Sequence, residues 1–325
     1  MELALQISGR YEDVLVGALW AEREGLAAIA LPDHYLMSAL DADPMAPAPD
    51  ALVQFGGLAR ETSTIELVVL VSPITFRHPA VYAKSAITLD RMSGGRFVLG
   101  LGTGWMDAEH EGFGIPYPER AERFAMLEEA LAYCRAAFDP TAPGYDGQRY
   151  SLAGFDIQPK SDRRVPLLVG GFGPHKTPRL AGTYADEFNV YSGPIDQMRQ
   201  RIERAREAAA TADRDPDALR ITTACPPFVG ASETDYRAAL EAAVPVMGQE
   251  TADGLHELLE RRGFPHGTAE QVADILGQMS AIGVERWYVQ ARLDTITTES
   301  LDENRTYEQI WVAGADGTLV TVAYY

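Results

Sequence analysis

Short β-rich runs alternate with helical stretches along almost the whole of this 325-residue chain. Most of the runs are uniformly apolar, which is typical of strands buried on both faces of a parallel sheet. The spacing between consecutive runs leaves room for a loop and a crossover helix. Eight such runs are present, and eight strands are enough to close a barrel. They occupy residues 3–7, 28–31, 65–71, 96–101, 166–169, 187–191, 219–224 and 286–290.

An open, doubly wound sheet is the main alternative for alternating strands and helices. Such a sheet displays a Gly-x-Gly-x-x-Gly phosphate loop after its first strand, whereas the first run here is followed by Ser8-Gly9-Arg10-Tyr11. Barrels of about 300 residues are also common as single domains. We therefore predict an α/β fold, a (β/α)8 TIM barrel that forms one domain over residues 1–300.

Three segments depart from the regular alternation. Residues 139–164 are rich in Pro, Gly, Asp and Tyr and indicate an insertion after the fourth βα unit, with a hairpin around Gln148-Arg149-Tyr150. Residues 231–264 have helical composition and predict extra helices between the seventh and eighth strands. Residues 301–325 are predicted to form a C-terminal extension, in which Gly314-Ala315-Asp316-Gly317 lies between β-branched runs and indicates a hairpin.

The charge and the cysteines exclude several functions. A formal charge of −19 argues against nucleic acid as a partner, because phosphates require a basic surface. No apolar run approaches the roughly 18 residues of a membrane-spanning helix, so we expect a cytoplasmic protein without a membrane partner. Cys134 and Cys225 lack the spacing of a metal or redox motif, and neither is a catalytic candidate.

The active site of a (β/α)8 barrel lies at the carboxyl ends of its strands. The second predicted strand is followed directly by Asp33 and His34. A histidine at this position can exchange a proton near neutral pH, and an adjacent carboxylate can fix its tautomer. The alternative is a structural histidine whose contacts lie within the loop.

Two glycine-rich turns follow the fourth and fifth predicted strands. Residues 100–105, GLGTGW, let a flat ring approach the backbone, although alternating glycines are also common at ordinary barrel turns. Residues 170–177, GGFGPHKT, lead into a helix whose N-terminal N–H groups, together with Lys176 and Thr177, form an anion site suited to a phosphate. Lys176 is one of only three lysines in the chain. The alternative for this second turn is a plain flexible loop.

The remaining histidines do not form a metal motif in the sequence. His78 and His110 lack a paired ligand three or four residues away, and His175, His256 and His266 are scattered. We therefore expect no metal site. A serine hydrolase is also disfavoured, because the chain has no Gly-x-Ser-x-Gly elbow.

Residues 89–105, LDRMSGGRFVLGLGTGW, resemble the signature of bacterial luciferase-like flavin and deazaflavin oxidoreductases. Further matches occur in the order in which that family has them and extend to about residue 295. They are Asp33-His34, Arg77-His78-Pro79, Glu109-His110 with Phe113-Gly114, Glu122-Arg123-Phe124, Gly170-Gly171 with Lys176-Thr177, Tyr184-Ala185-Asp186 and Gly267-Thr268-Ala269-Glu270-Gln271-Val272.

The resemblance implies a cofactor ring in the mouth of the barrel. In the family the ring stacks against a bulge at the end of the third strand, where a non-prolyl peptide bond is cis, and the matching bond is Leu70–Val71. The phosphate of the cofactor would lie at the second glycine-rich turn. The cofactor-binding residues that the resemblance implies are Asp33, Leu70, Val71, Gly102, Thr103, Gly104, Gly170, Gly171, Lys176 and Thr177.

The implied cofactor is coenzyme F420, a deazaflavin, or flavin mononucleotide (FMN), which are both anionic tricyclic hydride carriers. Asp33-His34 and the closing Tyr288-Val289-Gln290 resemble the F420-dependent branch, in which the matching histidine acts as an acid or base at the substrate. The resemblance therefore implies F420 as the cofactor and His34 as the catalytic residue, with Trp105 and Glu109 in the substrate pocket.

The glucose-6-phosphate dehydrogenases of the F420 branch carry a glutamate where this chain has Trp105 and a tryptophan where it has Ser38. Both differences argue against a sugar phosphate as substrate. We predict an F420-dependent oxidoreductase that transfers a hydride between the deazaflavin and a small organic substrate, and a homodimer, the usual assembly of the family. The alternatives are an FMN-dependent monooxygenase that uses reduced flavin and oxygen, and a cofactor-binding protein without catalysis.

Overall fold

The computed structural model describes residues 1–36, 48–139, 141–142, 144–153, 163–245, 247–290, 309–313 and 319–323. Its strands are β1 (Glu2–Gln6), β2 (Ala28–Leu31), β3 (Glu66–Val69), β4 (Ser72–Pro73), β5 (Phe97–Gly102), β6 (Tyr145–Asp146), β7 (Ser151–Leu152), β8 (Leu167–Gly171), β9 (Glu187–Val190), β10 (Arg220–Cys225), β11 (Phe228–Gly230), β12 (His266–Thr268), β13 (Arg286–Gln290), β14 (Gln309–Ala313) and β15 (Leu319–Ala323).

Eight of these strands form a closed parallel barrel. In order around the ring they are β1, β2, β3, β5, β8, β9, β10 and β13, and β13 pairs with β1 to complete it. The predicted (β/α)8 barrel is therefore confirmed, and the bounds of β2 and β13 agree with the sequence prediction to the residue.

The helices lie between successive strands and begin at recognisable signals. Pro79 occupies the first turn of α3, where His78 Nδ1 accepts a hydrogen bond from the Ala80 N–H at 3.1 Å. The helices are α1 (Tyr11–Arg23), α2 (Ala51–Glu61), α3 (Pro79–Ser93), α4 (Asp107–Phe113), α5 (Arg120–Phe138), α6 (Lys176–Tyr184), α7 (Ile195–Thr211), α8 (Glu233–Ala243), α9 (Ala252–Arg262) and α10 (Ala269–Ala281). No helix among the described residues is long and apolar enough to cross a membrane.

The prediction of one continuous third strand over residues 65–71 was wrong at the C-terminal end of that strand. Regular pairing of β3 stops at Val69, and the peptide bond between Leu70 and Val71 is cis. Pairing resumes in β4, where Ser72 lies opposite Leu101 of β5. The resemblance implied this cis bond, whereas the apolar pattern of the run gave no sign of the interruption.

A polar layer closes the N-terminal end of the barrel. Arg286 forms ion pairs of 2.7 Å with both Glu2 and Glu66, and the Tyr288 hydroxyl donates to Glu187 Oε1 at 2.9 Å. Above this layer the interior contains small and branched apolar side chains that alternate with the helix-facing residues of the same strands. They include Ala4, Ala28, Ala30, Val68, Leu70, Val98 and Leu168. The open end is therefore the mouth formed by the carboxyl ends of the strands.

The predicted departures from the barrel pattern are present. In the insertion, β6 and β7 pair antiparallel on either side of Gln148-Arg149-Tyr150, as predicted. The crossover from β10 to β13 contains the predicted extra helices, α8 and α9, and a small parallel sheet of β11 and β12. In the C-terminal extension β14 and β15 pair antiparallel, and the predicted turn between them lies outside the described residues.

Candidate active site

The closed ring brings the predicted site residues to one mouth of the barrel. Asp33 and His34 follow β2, the Leu70–Val71 bond separates β3 from β4, and Thr103 and Gly104 follow β5. Gly170 and Gly171, the first residues of the second glycine-rich turn, end β8. Because these positions are the carboxyl ends of parallel strands, they face the same opening.

His34 is paired with a buried glutamate. Its Nδ1 lies 2.8 Å from Glu109 Oε1, and the other oxygen of Glu109 accepts the backbone N–H groups of Tyr35 at 2.5 Å and Leu36 at 3.1 Å. The Glu109 side chain is 1% exposed, whereas that of His34 is 16% exposed. Both oxygens of Glu109 are thus used within the protein, and the carboxylate holds the imidazole and the loop after β2 in one geometry.

The carboxylate fixes the tautomer of His34. A deprotonated glutamate can only accept hydrogen bonds, so the neutral imidazole carries its proton on Nδ1, towards Glu109. The Nε2 atom of His34 then has a free lone pair. This arrangement is that of a histidine prepared to accept a proton at Nε2 and to have the resulting positive charge stabilised from behind.

Trp105 lies beside His34 at the rim of the mouth. Their ring centroids are 5.6 Å apart in an edge-to-face arrangement, and Trp105 is 50% exposed. A large apolar ring that remains half open to solvent next to a titratable group can contact a bound molecule. Ser38, the other position that we compared with the glucose-6-phosphate dehydrogenases, lies outside the described residues.

Asp33 belongs to a buried ion-pair network beneath the mouth. Its carboxylate is fully buried and accepts hydrogen bonds from the Ser72 hydroxyl and from both Nη atoms of Arg77, which also binds Asp50. Burial alone would lower the pKa of Arg77, but the adjacent Asp33 carboxylate outweighs it and raises that pKa. The network joins the loop after β2 to β4 and to the segment before α3, so it supports the loop that carries His34.

The carbonyl group of the cis peptide is held from below. Gln6, the last residue of β1, donates its side-chain amide to Leu70 O at 2.8 Å, and Gln290, the last residue of β13, donates to Gln6 Oε1 at 3.0 Å. Gln6 was not among the residues predicted from the sequence. The feature that could have identified it is a polar residue at the carboxyl end of an apolar, buried strand.

Val71 forms a wall of the mouth between two glycines. A Cβ at Gly102 would lie 2.8 Å from Val71 Cγ2, and one at Gly170 would lie 3.2 Å from Val71 Cγ1. At Gly100 a Cβ would lie only 1.8 Å from the Val69 carbonyl oxygen, a contact that the backbone cannot tolerate. Gly100 and Gly102 of β5 are therefore required by the close approach of this strand to Val69 of β3 and to Val71.

The second glycine-rich turn packs against the first turn of α6. A Cβ at Gly173 would lie 2.7 Å from Thr177 Oγ1, and Thr177 itself is 3% exposed. No side chain caps the helix at His175. The N–H groups of the first turn of a helix have no intrahelical acceptor, so this turn has the donors that an anion requires.

Lys176 and Arg120 lie beside this turn and contact the same aromatic ring. Lys176 Nζ is 5.3 Å from the centroid of the Phe124 ring, and the guanidinium carbon of Arg120 is 5.8 Å from the same ring. The end of the Phe124 ring would be 3.5 Å from a Cβ at Gly173, so both cations and the turn share one aromatic side chain. Lys176 could be identified from the sequence. Arg120 could not, because it is the first residue of α5 and no motif around it indicates an anion site.

Residues 4–313 match the family described as luciferase-like monooxygenase. The chain belongs to this family. The resemblance deduced from residues 89–105 is thus confirmed. Because the match covers nearly the whole chain, it includes the His34 and Glu109 pair and both glycine-rich turns.

The individual relatives and solved structures described here share 22–35% of their residues with this chain. A protein of Microbacterium testaceum named F420-dependent glucose-6-phosphate dehydrogenase is 35% identical over 180 residues, which cover 55% of this chain and 52% of that protein. A protein of the same name from Mycolicibacterium smegmatis is 27% identical and matches over 80% of this chain and 82% of its own. The structure of an F420-dependent secondary alcohol dehydrogenase in complex with an F420-acetone adduct superposes with a TM-score of 0.74 at 22% identity, covering 90% of this chain and 93% of that one. At that identity the superposition shows the shared fold.

Proposed function

We propose that this luciferase-like protein is an F420-dependent oxidoreductase that transfers a hydride between the deazaflavin and a small organic substrate. The observation that carries the proposal is the His34 and Glu109 pair, in which a buried carboxylate holds an accessible imidazole at the barrel mouth. Several curated relatives are named F420-dependent glucose-6-phosphate dehydrogenase, and these names support the choice of cofactor.

The residues of the mouth fit an anionic tricyclic cofactor. Val71, between Gly102 and Gly170, gives a wall of backbone and one isopropyl group, against which a flat ring can lie. The uncapped N-terminus of α6, with Lys176 and Arg120, supplies positive charge for the phosphate in a chain that is otherwise strongly acidic. F420, when bound, would supply the hydride chemistry, and the protein supplies orientation and proton transfer.

His34 is the proposed acid or base for the substrate. Glu109 sets the proton on Nδ1, so Nε2 can take a proton from a substrate hydroxyl in one direction of the reaction and return it in the other. We propose Glu109 as the residue that positions His34, a role different from the pocket lining expected from the sequence. Asp33 acts through Arg77 to hold the same loop.

We propose an uncharged alcohol, aldehyde or ketone as the substrate class. The half-exposed indole of Trp105 offers apolar contact to such a molecule. We also propose a cytoplasmic location and a two-fold homodimer. Sedimentation velocity of the purified chain would test whether it is a dimer.

Replacement of His34 tests the proposed chemistry. His34→Gln should lower kcat about 10²- to 10⁴-fold, the range that a positioned acid or base contributes, while the Kd for F420 changes less than about 3-fold. Substrates would be screened through the absorbance change of F420. Unchanged turnover would remove His34 from the reaction, and an equal loss of F420 affinity would make it a cofactor ligand.

An FMN-dependent monooxygenase is the second candidate, because the family is described as luciferase-like monooxygenase. Oxygen consumption that depends on reduced FMN and on an organic substrate would support it against the F420 proposal. Tight cofactor binding without turnover over a broad panel of alcohols, aldehydes and enones would support a binding protein without catalysis.

A further inference from the structure

A second cluster of titratable side chains lies on the crossover between β10 and β13. His256 and Glu260 stand one turn apart on α9, and His266 begins β12. One ligand atom from each of the three residues lies within 4.8 Å of the others. In the sequence His256 and His266 are scattered, and we expected no metal site from them. The structure brings them together, with ring centroids 5.1 Å apart.

We propose that His256, Glu260 and His266 bind one divalent transition-metal ion, with Zn²⁺ as the natural probe. Two imidazoles and one carboxylate form a donor set that proteins use for zinc with an open fourth position. The site is separate from the proposed cofactor mouth and follows from different residues.

Both histidines are arranged as metal ligands usually are. His266 Nδ1 lies 2.7 Å from the carbonyl oxygen of Phe264, so this nitrogen carries the proton and donates it, and Nε2 has a free lone pair. His256 Nδ1 lies 2.7 Å from the Tyr236 hydroxyl oxygen, which can accept from it in the same way. A ligating histidine almost always has its second nitrogen bound to an oxygen that fixes its tautomer. The cluster therefore has its supporting hydrogen bonds in place.

The backbone between the ligands is fixed. Gly263 ends α9 with a φ of 59°, and a Cβ at this position would lie 2.2 Å from Gly193 O. The Ser192 hydroxyl donates to Gly263 O at 3.1 Å. These contacts hold the turn between His256 and His266 against the loop after β9, so the two imidazoles are brought together by the fold and not by the metal.

The remaining adjustment is within reach of the side chains. Ligands of a tetrahedral zinc ion at the usual bond lengths are about 3.3 Å apart, and His256 Nε2 is already 3.8 Å from Glu260 Oε1. The side chains of His256 and Glu260 are 41% and 61% exposed, which leaves them free to rotate towards His266. Bound metal would join α9 to β12.

The experiment is calorimetric titration of the purified full chain with ZnCl₂ after treatment with a chelator. We expect one equivalent to bind with a micromolar or lower Kd and to raise Tm. Glu260→Gln and His266→Gln should each weaken binding at least about 10-fold, and Tyr236→Phe, which removes the oxygen behind His256, should weaken it about 10-fold or more. The matched control is Glu257→Gln, which removes an exposed carboxylate of the same helix that pairs with Arg261 and is not one of the three ligands. This variant should bind zinc as the parent chain does.

Two results would overturn the proposal. One is the absence of binding below about 100 µM zinc in the parent chain. The other is binding that Glu260→Gln, His266→Gln and Glu257→Gln leave equally strong, which would mean adventitious surface binding. Circular dichroism of each variant distinguishes the loss of a ligand from the loss of the fold. If His266→Gln misfolds, Glu260→Gln still tests the proposal, because the Glu260 side chain is largely exposed and its replacement should not disturb the fold.

Discussion

Glu109→Gln should invert the tautomer of His34 while leaving the site almost unchanged in shape. In the parent chain one Glu109 oxygen faces His34 Nδ1 at 2.8 Å, and the other accepts the N–H groups of Tyr35 and Leu36 at 2.5 and 3.1 Å. A glutamine has only one oxygen, so one of these two sides must face its NH₂ group.

The energetics decide which side the amide presents. Turning the NH₂ towards the backbone would leave the buried N–H groups of Tyr35 and Leu36 without an acceptor, at about 1–3 kcal/mol each. Turning it towards His34 requires only that the imidazole move its proton from Nδ1 to Nε2. We therefore expect the oxygen to stay with the two N–H groups and His34 to become the Nε2–H tautomer.

The consequence is a loss of proton transfer at Nε2. A neutral imidazole with its proton on Nε2 cannot accept another there, and the carboxylate that would stabilise the imidazolium is gone. Glu109→Gln should lower kcat about 10²-fold or more, with F420 affinity changed less than about 3-fold. Long-range ¹H–¹⁵N NMR of the imidazole reports the tautomer directly and needs no substrate, with His34→Gln used to assign the signals.

An unchanged His34 tautomer in Glu109→Gln would refute the argument from the two backbone N–H groups. A changed tautomer with parental kcat would show instead that proton exchange at Nε2 is not part of turnover. Glu111→Gln, on the same short helix α4 and exposed, is the matched control and should alter neither property.

Three further predictions follow from single contacts. Gly100→Ala should destabilise the fold by about 3 kcal/mol or more, because its Cβ would meet a backbone oxygen. Gly277→Ala, within α10 and with open space around it, should stabilise the fold by about 0.5–1 kcal/mol. Chemical denaturation measures both changes. Lys176→Ala should weaken F420 binding about 3- to 10-fold and reduce its salt dependence, unlike Lys84→Ala. Glu22 is partly buried, which acts to raise its pKa, but three backbone N–H groups and one hydroxyl lower it to about 2. Because the folded-state pKa is depressed, its stabilising contribution of about 1–2 kcal/mol should be complete above pH 4.5, decline as the pH falls towards 2, and be missing in Glu22→Gln.

A different result would contradict each of these three predictions. Equal stability of Gly100→Ala and Gly277→Ala would mean that β3 and β5 can separate at the cis peptide. The same Kd for the two lysine variants would move the anion away from α6. A stability difference between the parent chain and Glu22→Gln that stays constant from pH 7 to pH 3 would show that the hydrogen bonds of Glu22 do not depend on its charge.

The barrel could be predicted because its signals are local. Uniformly apolar runs at regular spacing locate strands such as β2 and β13 to the residue, and closure follows from their number. The break between β3 and β4 could not be predicted from the pattern, since Leu70 and Val71 continue the apolar run. It depends on contacts with Gly100 and Gln6, which other strands supply.

The positions of the candidate residues at the strand ends could be predicted from the sequence, but the contacts among them could not. Strand ends identified Asp33, His34 and the glycine turns, and the rarity of lysine identified Lys176. The contact between Glu109 and His34 could not be deduced, because the two residues are 75 positions apart along the chain and meet only after the barrel closes. Asp33 similarly meets Arg77 across 44 residues. Such contacts form only in the tertiary structure, and the local sequence pattern does not predict which residues will meet.

The most direct test of the account is a parallel titration of the purified apoprotein with F420 and with FMN, followed by intrinsic tryptophan fluorescence. Trp105 lies beside His34 at the mouth and should contribute to the signal, so Trp105→Phe should reduce the fluorescence change without abolishing binding. The account predicts micromolar or tighter binding of F420 and much weaker binding of FMN. Preferential binding of FMN would contradict it and favour the oxygen-using monooxygenase.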